Sequence, residues 1–460
     1  MKIKHYPLNR PTRQLLPHQK DSLRYMMNTN TPALFIDMRL GKTILTIEYA
    51  IRKGLKNVLV IAPMSTLNSW ERELRVEGIR CCKVVGAKSK TLHENILACP
   101  WVLVNPQKIA RPKIPIGHRL MGGYKTEHWP FAKRKWDLIV IDESSRIKNP
   151  KSGYYKELMR NYSEIPHKIL LSGTPTPESI LEAVPQLLFL RGEVMGCRSY
   201  WEFLAKYTTK WGYDRYLYKG ARAKLEQVLH STCYFLSQKQ AGIAQPARYV
   251  KILHSKNRKQ KELIQQLRKD FELDLDGKHY ETSYVLPTLM WACRIDGGML
   301  DGSVINEAKY DSLKRIIQGT SGRVVVWFRF NEELHYCEKR LAEAGISVRA
   351  YYGDVSVADR KILEEDFRAG KYQVLLLQVK TGLYALDLSA ANVAVYYSNT
   401  WSLEERLQSE KRISHPKKKS TLMYYDLLFK GWPGTTIYNA LRRKNISARM
   451  IWEAWDAKTR

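Results

Sequence analysis

Residues 136–149 read WDLIVIDESSRIKN, and the reading of this stretch decides the rest of the chain. Leu138, Ile139, Val140 and Ile141 form a short apolar run, rich in β-branched residues and without alternation. That is the pattern of a strand covered on both faces. Asp142 and Glu143 follow at once. Parallel α/β sheets bind ligands beyond the carboxyl ends of their strands, so a carboxylate pair there suits a hard divalent cation and a base that activates water. A strand that simply ends in solvated acids explains the pair equally well.

A second stretch upstream, Ala33 to Thr43, reads ALFIDMRLGKT, an apolar run that turns into a glycine, a lysine and a hydroxyl. In a phosphate cradle of this kind, backbone N–H groups and a helix N-terminus hold the phosphates, Lys42 reaches the β and γ oxygens and Thr43 ligates magnesium. Arg39 and Gly41 belong to the same nucleotide-binding loop. GKT after one strand and an acid pair after a later one together indicate a nucleoside triphosphatase, with magnesium as its metal.

At 460 residues the chain holds about two to three domains, and 44% hydrophobic content suffices for their cores. Seventy-six Lys and Arg against forty-five Asp and Glu leave a net charge of +31. That imbalance favours a nucleic acid over a small acidic metabolite, with a generally basic solvated surface as the alternative. No apolar segment approaches the roughly 20 residues that cross a bilayer, and MKIKHYPLNRP lacks the apolar core of a signal peptide. A soluble, cytoplasmic protein without a membrane partner is expected. Seven cysteines without a CxxC pair read as reduced, mostly buried thiols.

From the start, Gln19 precedes the phosphate loop by about twenty residues and offers both a donor and an acceptor to an adenine edge; a surface glutamine at a helix start is the alternative. After a helix to about Arg52, VLVIAPMSTLNSW brings Ser65 and Thr66 to a strand end, for a nucleic-acid phosphate or as an N-cap. WVLVN ends in Asn105, a further DNA-binding candidate, and residues 111–135 read as a basic surface insertion. HKILLSGTPTP delivers Ser172 and Thr174 beside the acids, to sense the γ-phosphate or to cap the next helix. Residues 199–224 interleave Tyr and Trp with Lys and Arg, so Lys210 and Trp211 could hold a nucleic acid or pack a helical appendage. A second strand–helix alternation starts near Glu307 without a phosphate loop of its own. The expected division is 1–191 for the nucleotide-binding domain, 192–306 for helical additions and a linker, and 307–460 for a second α/β domain with a C-terminal helix. The charged helix from Asn257 to about Asp270 is expected to join the halves.

This ordered set resembles the Swi/Snf-type helicase-like ATPases of helicase superfamily two, particularly the compact versions encoded by bacteriophages. The likeness rests on LPHQ at 16–19, DMRLGKT at 37–43, IAPMSTLNSW at 61–70, DESSRIKN at 142–149, SGTP at 172–175, YYGDVSVADR at 351–360 and QSEKRI at 408–413. It implies two tandem RecA-like doubly wound parallel-sheet domains with helical additions. It also implies Gln19 on adenine, Gly41, Lys42 and Thr43 on the phosphates and magnesium, Asp142 on magnesium through water, and Glu143 as the base. Ser172, Thr174 and Gln408 would couple hydrolysis to motion, Thr381 would face DNA, and Arg412 would reach the γ-phosphate across a cleft.

The sequence also departs from the family pattern. Arg39 stands where the family has a glycine, His415 where a second arginine is expected, and TGLYALDLSAAN at 381–392 lacks two usual glycines and carries Asp387 for asparagine. The leading expectation is an ATP-driven motor, favoured as a monomer, that moves along or remodels duplex or branched DNA. A DNA-binding scaffold with a weak or vestigial ATPase and an RNA-dependent ATPase are the competing readings.

Overall fold

The computed structural model describes residues 14–84, 94, 96–109, 113–115, 124–126, 134–211, 214–270, 272–281, 284–382, 386–415 and 418–444, with the backbone alone at 113–115, 124–126, 211, 214, 285 and 357. Most of the expected insertion at 111–135 and the chain beyond 444, with the end of the expected C-terminal helix, lie outside the described residues. The chain divides into two compact units between Gly242 and Ile243.

The first unit is built on seven strands, all pairing in parallel: Cys233–Leu236, Ala33–Ile36, His167–Ser172, Leu138–Asp142, Val58–Ile61, Trp101–Val104 and Cys81–Val84, in that order across the sheet. Every residue of the Leu138–Asp142 strand is buried, as is every residue of Ala33–Ile36 and Val58–Ile61, so both faces are covered and the unbroken apolar runs have their cause. One core cluster gathers Phe35, Leu59, Ile61, Ile139, Ile141 and Leu170 against Leu158 of the Gly153–Tyr162 helix and Leu187 of the Ala183–Arg191 helix.

The second unit carries six parallel strands in the order Ala247–His254, Leu422–Phe429, Ala391–Tyr396, Arg323–Phe328, Val374–Gln378, Val348–Tyr351. Alternate residues of the Arg323–Phe328 strand enter separate clusters. Val324, Val326 and Phe328 meet Leu334 and Leu341 of the Asn331–Glu343 helix, whereas Val325 and Trp327 meet Phe367 of the Val357–Ala369 helix. Helices on both faces make this sheet doubly wound.

Residues 192–306 are not simply helical additions and a linker. Their Cys233–Leu236 segment completes the first sheet, and Ala247–His254 forms an edge of the second. Both are edge strands: the first, CYFL, carries a half-buried Tyr234, and the second holds only exposed and half-buried positions, so neither reads as the fully buried run of an interior strand. The Arg258–Asp270 helix does not join the halves; it lies within the second unit, where Leu263, Ile264 and Leu267 pack with Leu273, Ile295 and Leu300. All seven cysteines are free, six of them buried. Among the described residues no helix is long and apolar enough to cross a membrane.

Candidate active site

Three neighbouring parallel strands of the first sheet end together. Phe35 pairs with Ser172, and Leu171 with Asp142. The phosphate loop, the SGTP turn and the acid pair therefore leave adjacent strands at one edge, which is where a parallel sheet presents its ligands.

The loop after Ile36 turns through two left-handed residues. Arg39 has φ of 65° and Gly41 φ of 90°, and Gly41 caps the Lys42–Arg52 helix. Its φ favours glycine at 41, and a Cβ there would also push the Gln19 amide away from the loop. The first intrahelical bond runs from Leu45 N to Gly41 O, and no acidic side chain lies in the first turn, so the helix itself does not use the N–H groups of Lys42, Thr43 and Ile44. Lys42 Nζ donates to Ile36 O at 2.8 Å and to Asp37 O at 3.2 Å, which holds its ammonium at the mouth of the loop. Thr43 is half-buried in the same turn.

Gln19 is buried against this loop, its Oε1 accepting from Leu16 N at 3.0 Å and its Nε2 donating to Leu40 O at 3.4 Å. It is not a surface glutamine. On the other side Gln238, just past the Cys233–Leu236 strand, donates from its backbone to Asp37 Oδ2 at 3.0 Å and from Nε2 to Met38 O at 3.1 Å. The sequence reading missed Gln238, because nothing local marks a residue that acts two hundred positions away.

Asp142 ends its strand with Oδ2 accepting from the indole Nε1 of Trp70 at 3.0 Å and Oδ1 accepting from Glu143 N at 3.1 Å. Trp70, fully buried in the Met64–Val76 helix, thus orients the carboxylate. It stands in the IAPMSTLNSW motif, but its link to Asp142 has no sequence signature. Glu143 takes φ of 54° as the backbone enters the turn Ser144–Ile147. Behind the pair, Ser144 Oγ donates to Gln186 Oε1 at 2.7 Å, and Gln186 Nε2 donates to Pro175 O at 2.7 Å and Glu182 O at 2.9 Å. One buried amide therefore links the acid segment to the SGTP turn, where Ser172 Oγ accepts from Thr174 N at 3.0 Å. Lys148 of the same acid segment lies 3.0 Å from Glu182, whose carboxyl burial nevertheless holds above its ordinary range.

Of the DNA-binding candidates in the first unit, Ser65, Thr66 and Asn105 follow the carboxyl ends of the paired Val58–Ile61 and Trp101–Val104 strands, whereas Lys210 and Trp211 lie on a separate hairpin. Ser65 and Thr66 sit in the first turn of the Met64–Val76 helix, whose N-cap is Pro63, so neither is the N-cap; Thr66 Oγ1 donates to Pro63 O at 3.0 Å. Asn105 is buried and its Oδ1 accepts from Lys108 N at 3.2 Å, a cap on the short Pro106–Ile109 helix. Lys210 is exposed on a hairpin of Thr208–Trp211 with Asp214–Leu217, in which Trp211 is described by its backbone alone.

In the second unit, Gln408 and Arg412 share the Leu403–Ile413 helix. Arg406 fastens that helix. Its guanidinium donates to Asp426 Oδ2 at 2.9 Å and Glu410 Oε1 at 2.7 Å and lies 3.4 Å from the Tyr396 ring centroid. Arg412 is half-buried and Gln408 Nε2 reaches Glu404 Oε1 at 3.3 Å. Thr381 is buried, donating to Gln378 Oε1 at 2.7 Å, and His415 donates its backbone N–H to Gln245 Oε1 at 2.7 Å.

Curated relatives cover nearly the whole chain at low identity. The ISWI chromatin-remodeling complex ATPase ISW1 of Saccharomyces cerevisiae is 24% identical over 90% of this chain, and the CHD3-type chromatin-remodeling factor CHR7 of Arabidopsis thaliana 21% over 89%. The chain spans 38% and 35% of their respective lengths. Among solved structures, the Sulfolobus solfataricus SWI2/SNF2 ATPase core in complex with dsDNA aligns with 98% of this chain and 97% of its own at 19% identity, with a TM-score of 0.44. The helicase conserved C-terminal domain matches residues 308–416, which hold most of the second sheet. Because the SNF2-related domain matches residues 18–285, more than half of the 460, and embraces both the lysine loop and the acid pair, the chain belongs to the SNF2-related family.

Proposed function

We propose that this chain hydrolyses ATP when it engages DNA and uses the energy to move along, or remodel, duplex or branched DNA. The observation that carries the proposal is the common exit of three adjacent strands bearing the Gly41–Thr43 loop, Asp142–Glu143 and Ser172–Thr174. The +31 charge and family membership supply the polyanion partner.

In this reading Gln19 borders the adenine and the first-turn N–H groups after Gly41 cradle the phosphates, with Arg39 in the same loop. Lys42 exchanges the carbonyls of Ile36 and Asp37 for the β and γ oxygens. Thr43 and the Trp70-oriented Asp142 are the oxygen donors that suit Mg2+, which when bound offsets phosphate charge. Glu143 orients the attacking water, and Ser172 and Thr174 report the γ-phosphate state through Gln186. Arg412 of the second unit supplies the cation that the resemblance gives it, with Gln408 in the same coupling motif. The monomeric state, the compact bacteriophage type and a bacterial cytoplasm belong to the same proposal and rest on the motif spellings and composition alone.

A scaffold with a weak ATPase is favoured by Arg39 in a glycine conformation and by His415 in place of an arginine. One experiment separates the readings: ATP turnover by the wild type, Lys42→Ala and Glu143→Gln, alone and with duplex DNA, forked DNA, single strands or RNA. Duplex or forked DNA should stimulate the wild type, and each variant should lose on the order of 100-fold or more. Full stimulated turnover in either variant would refute the assigned chemistry. Binding without stimulation would establish the scaffold, and preferential stimulation by RNA would change the partner.

A further inference from the structure

An open trough on the second unit, about 820 Å³ in volume, runs between the Arg258–Asp270 helix and the segment that follows the Leu422–Phe429 strand. Its wall carries Lys256, Lys261, Arg268, Lys269, Lys430 and Trp432, and no carboxylate lines it. None of the motif residues assigned above lies in it.

The helix is built for this arrangement. Lys261, Gln265, Arg268 and Lys269 fall at i, i+4, i+7 and i+8, one exposed stripe, while Gln260, Leu263, Ile264 and Leu267 turn inward. The neighbouring acids are mostly engaged elsewhere. Glu262 pairs with Arg258 at 2.7 Å, and Asp296 is buried, 2.9 Å from Lys256 and 3.8 Å from Lys309. Asp270 reaches Lys269 only at 4.0 Å and in solvent, where such a pair holds little. Lys256 is pinned by Asp296 and by Lys430 O at 2.8 Å, and Arg268 lies 5.6 Å from the Trp432 ring centroid. Lys261 and Lys430 make no ion pair among the described residues.

We propose that this trough binds a nucleic-acid phosphate backbone, as a second grip on DNA separate from the motif residues. The inference rests on the DNA-acting function proposed above. From Lys261 to Lys269 the stripe runs about 12 Å along the helix. A duplex presents on the order of seven phosphate charges over that length. A small anion would occupy one or two of these cations and leave the rest in mutual repulsion. A polyanion meets all of them and releases its counterions.

The test compares three full-length variants by duplex DNA binding across a salt series, with DNA-free ATP turnover as a control. The first is Lys261→Gln/Lys269→Gln/Lys430→Gln. The second is Lys339→Gln/Lys361→Gln/Lys371→Gln, which removes the same charge from exposed sites away from the trough helix. The third replaces the same three trough lysines by arginine. The trough variant should lose at least about tenfold in affinity, and its slope of log K against log salt should shrink by roughly 0.9 for each phosphate that it ceases to neutralise. The second and third variants should stay within about twofold of the wild type, and DNA-free turnover should be unchanged in all three. Equal behaviour of the first two variants, or an unchanged slope in the first, would overturn the trough while leaving DNA-stimulated turnover standing. Loss of affinity for inorganic pyrophosphate but not for DNA would make it a small-anion site and overturn the proposal too. A wild type that binds no nucleic acid would remove both the trough and the function.

Discussion

Glu333 is fully buried in the second unit, with its carboxylate accepting from Ser398 Oγ. Burial raises its carboxyl to about 7, with Lys309 and the Ser398 bond pulling the other way. A folded-state value above the unfolded 4.5 means that the native unit binds the proton more tightly. Its contribution to stability is therefore full below about pH 4.5 and lost as pH rises through about 7. The loss is on the order of 3 kcal/mol for a shift of this size. Urea midpoints of the wild type should fall between pH 5 and pH 8 by more than those of Glu333→Gln, which has no proton to release; equal slopes would contradict this. Arg39 shows a different residue-scale fact. Its φ of 65° is the conformation that a glycine adopts freely, so a non-glycine there costs roughly 1–2 kcal/mol. The sequence announced the departure, but whether the loop kept its shape could be read only from the backbone.

At the scale of the element, the Ala183–Arg191 helix reads AVPQLLFLR, and Gln186 is its one amide, entirely buried. Gln186→Leu keeps the volume but leaves the Ser144 hydroxyl and the Pro175 carbonyl without this partner, so destabilisation of about 1–3 kcal/mol is expected. A positioning role adds a second signature: DNA-stimulated kcat should drop several-fold while KM for ATP stays near the wild type, and Gln186→Glu should not restore it. A kcat that follows stability alone would reduce Gln186 to a packing residue. The legible elements were those with local cause. The runs LIVI and VLVI gave strands because every position is apolar, and GKT gave a helix start because its chemistry sits in three neighbouring residues. Trp70, Gln186 and Gln238 were not legible as site residues, since each acts through hydrogen bonds to partners distant in sequence, and such bonds leave no periodicity behind.

For the whole molecule, two parallel sheets were foreseeable from two alternations of apolar and amphipathic segments, whereas the boundary between them was not. The chain returns to each sheet with a strand that lacks an interior-strand signature, Cys233–Leu236 and Ala247–His254, on either side of Gly242. The division of labour predicts that Arg412→Ala, a change confined to the second unit, should cut DNA-stimulated turnover by on the order of 1000-fold. ATP affinity should remain within a few-fold, as measured by nucleotide titration. Loss of affinity without loss of maximal turnover would give Arg412 a binding role instead. The pairing of Ala33 with Cys233 also sets an order of events during synthesis. At roughly 5–20 residues per second, the ribosome takes about ten to forty seconds to supply the partner of the strand that leads into the lysine loop. Until then that strand keeps at least one bare flank and Asp37 lacks the hydrogen bond from Gln238, so the lysine loop gains its full support only after the late strand has docked.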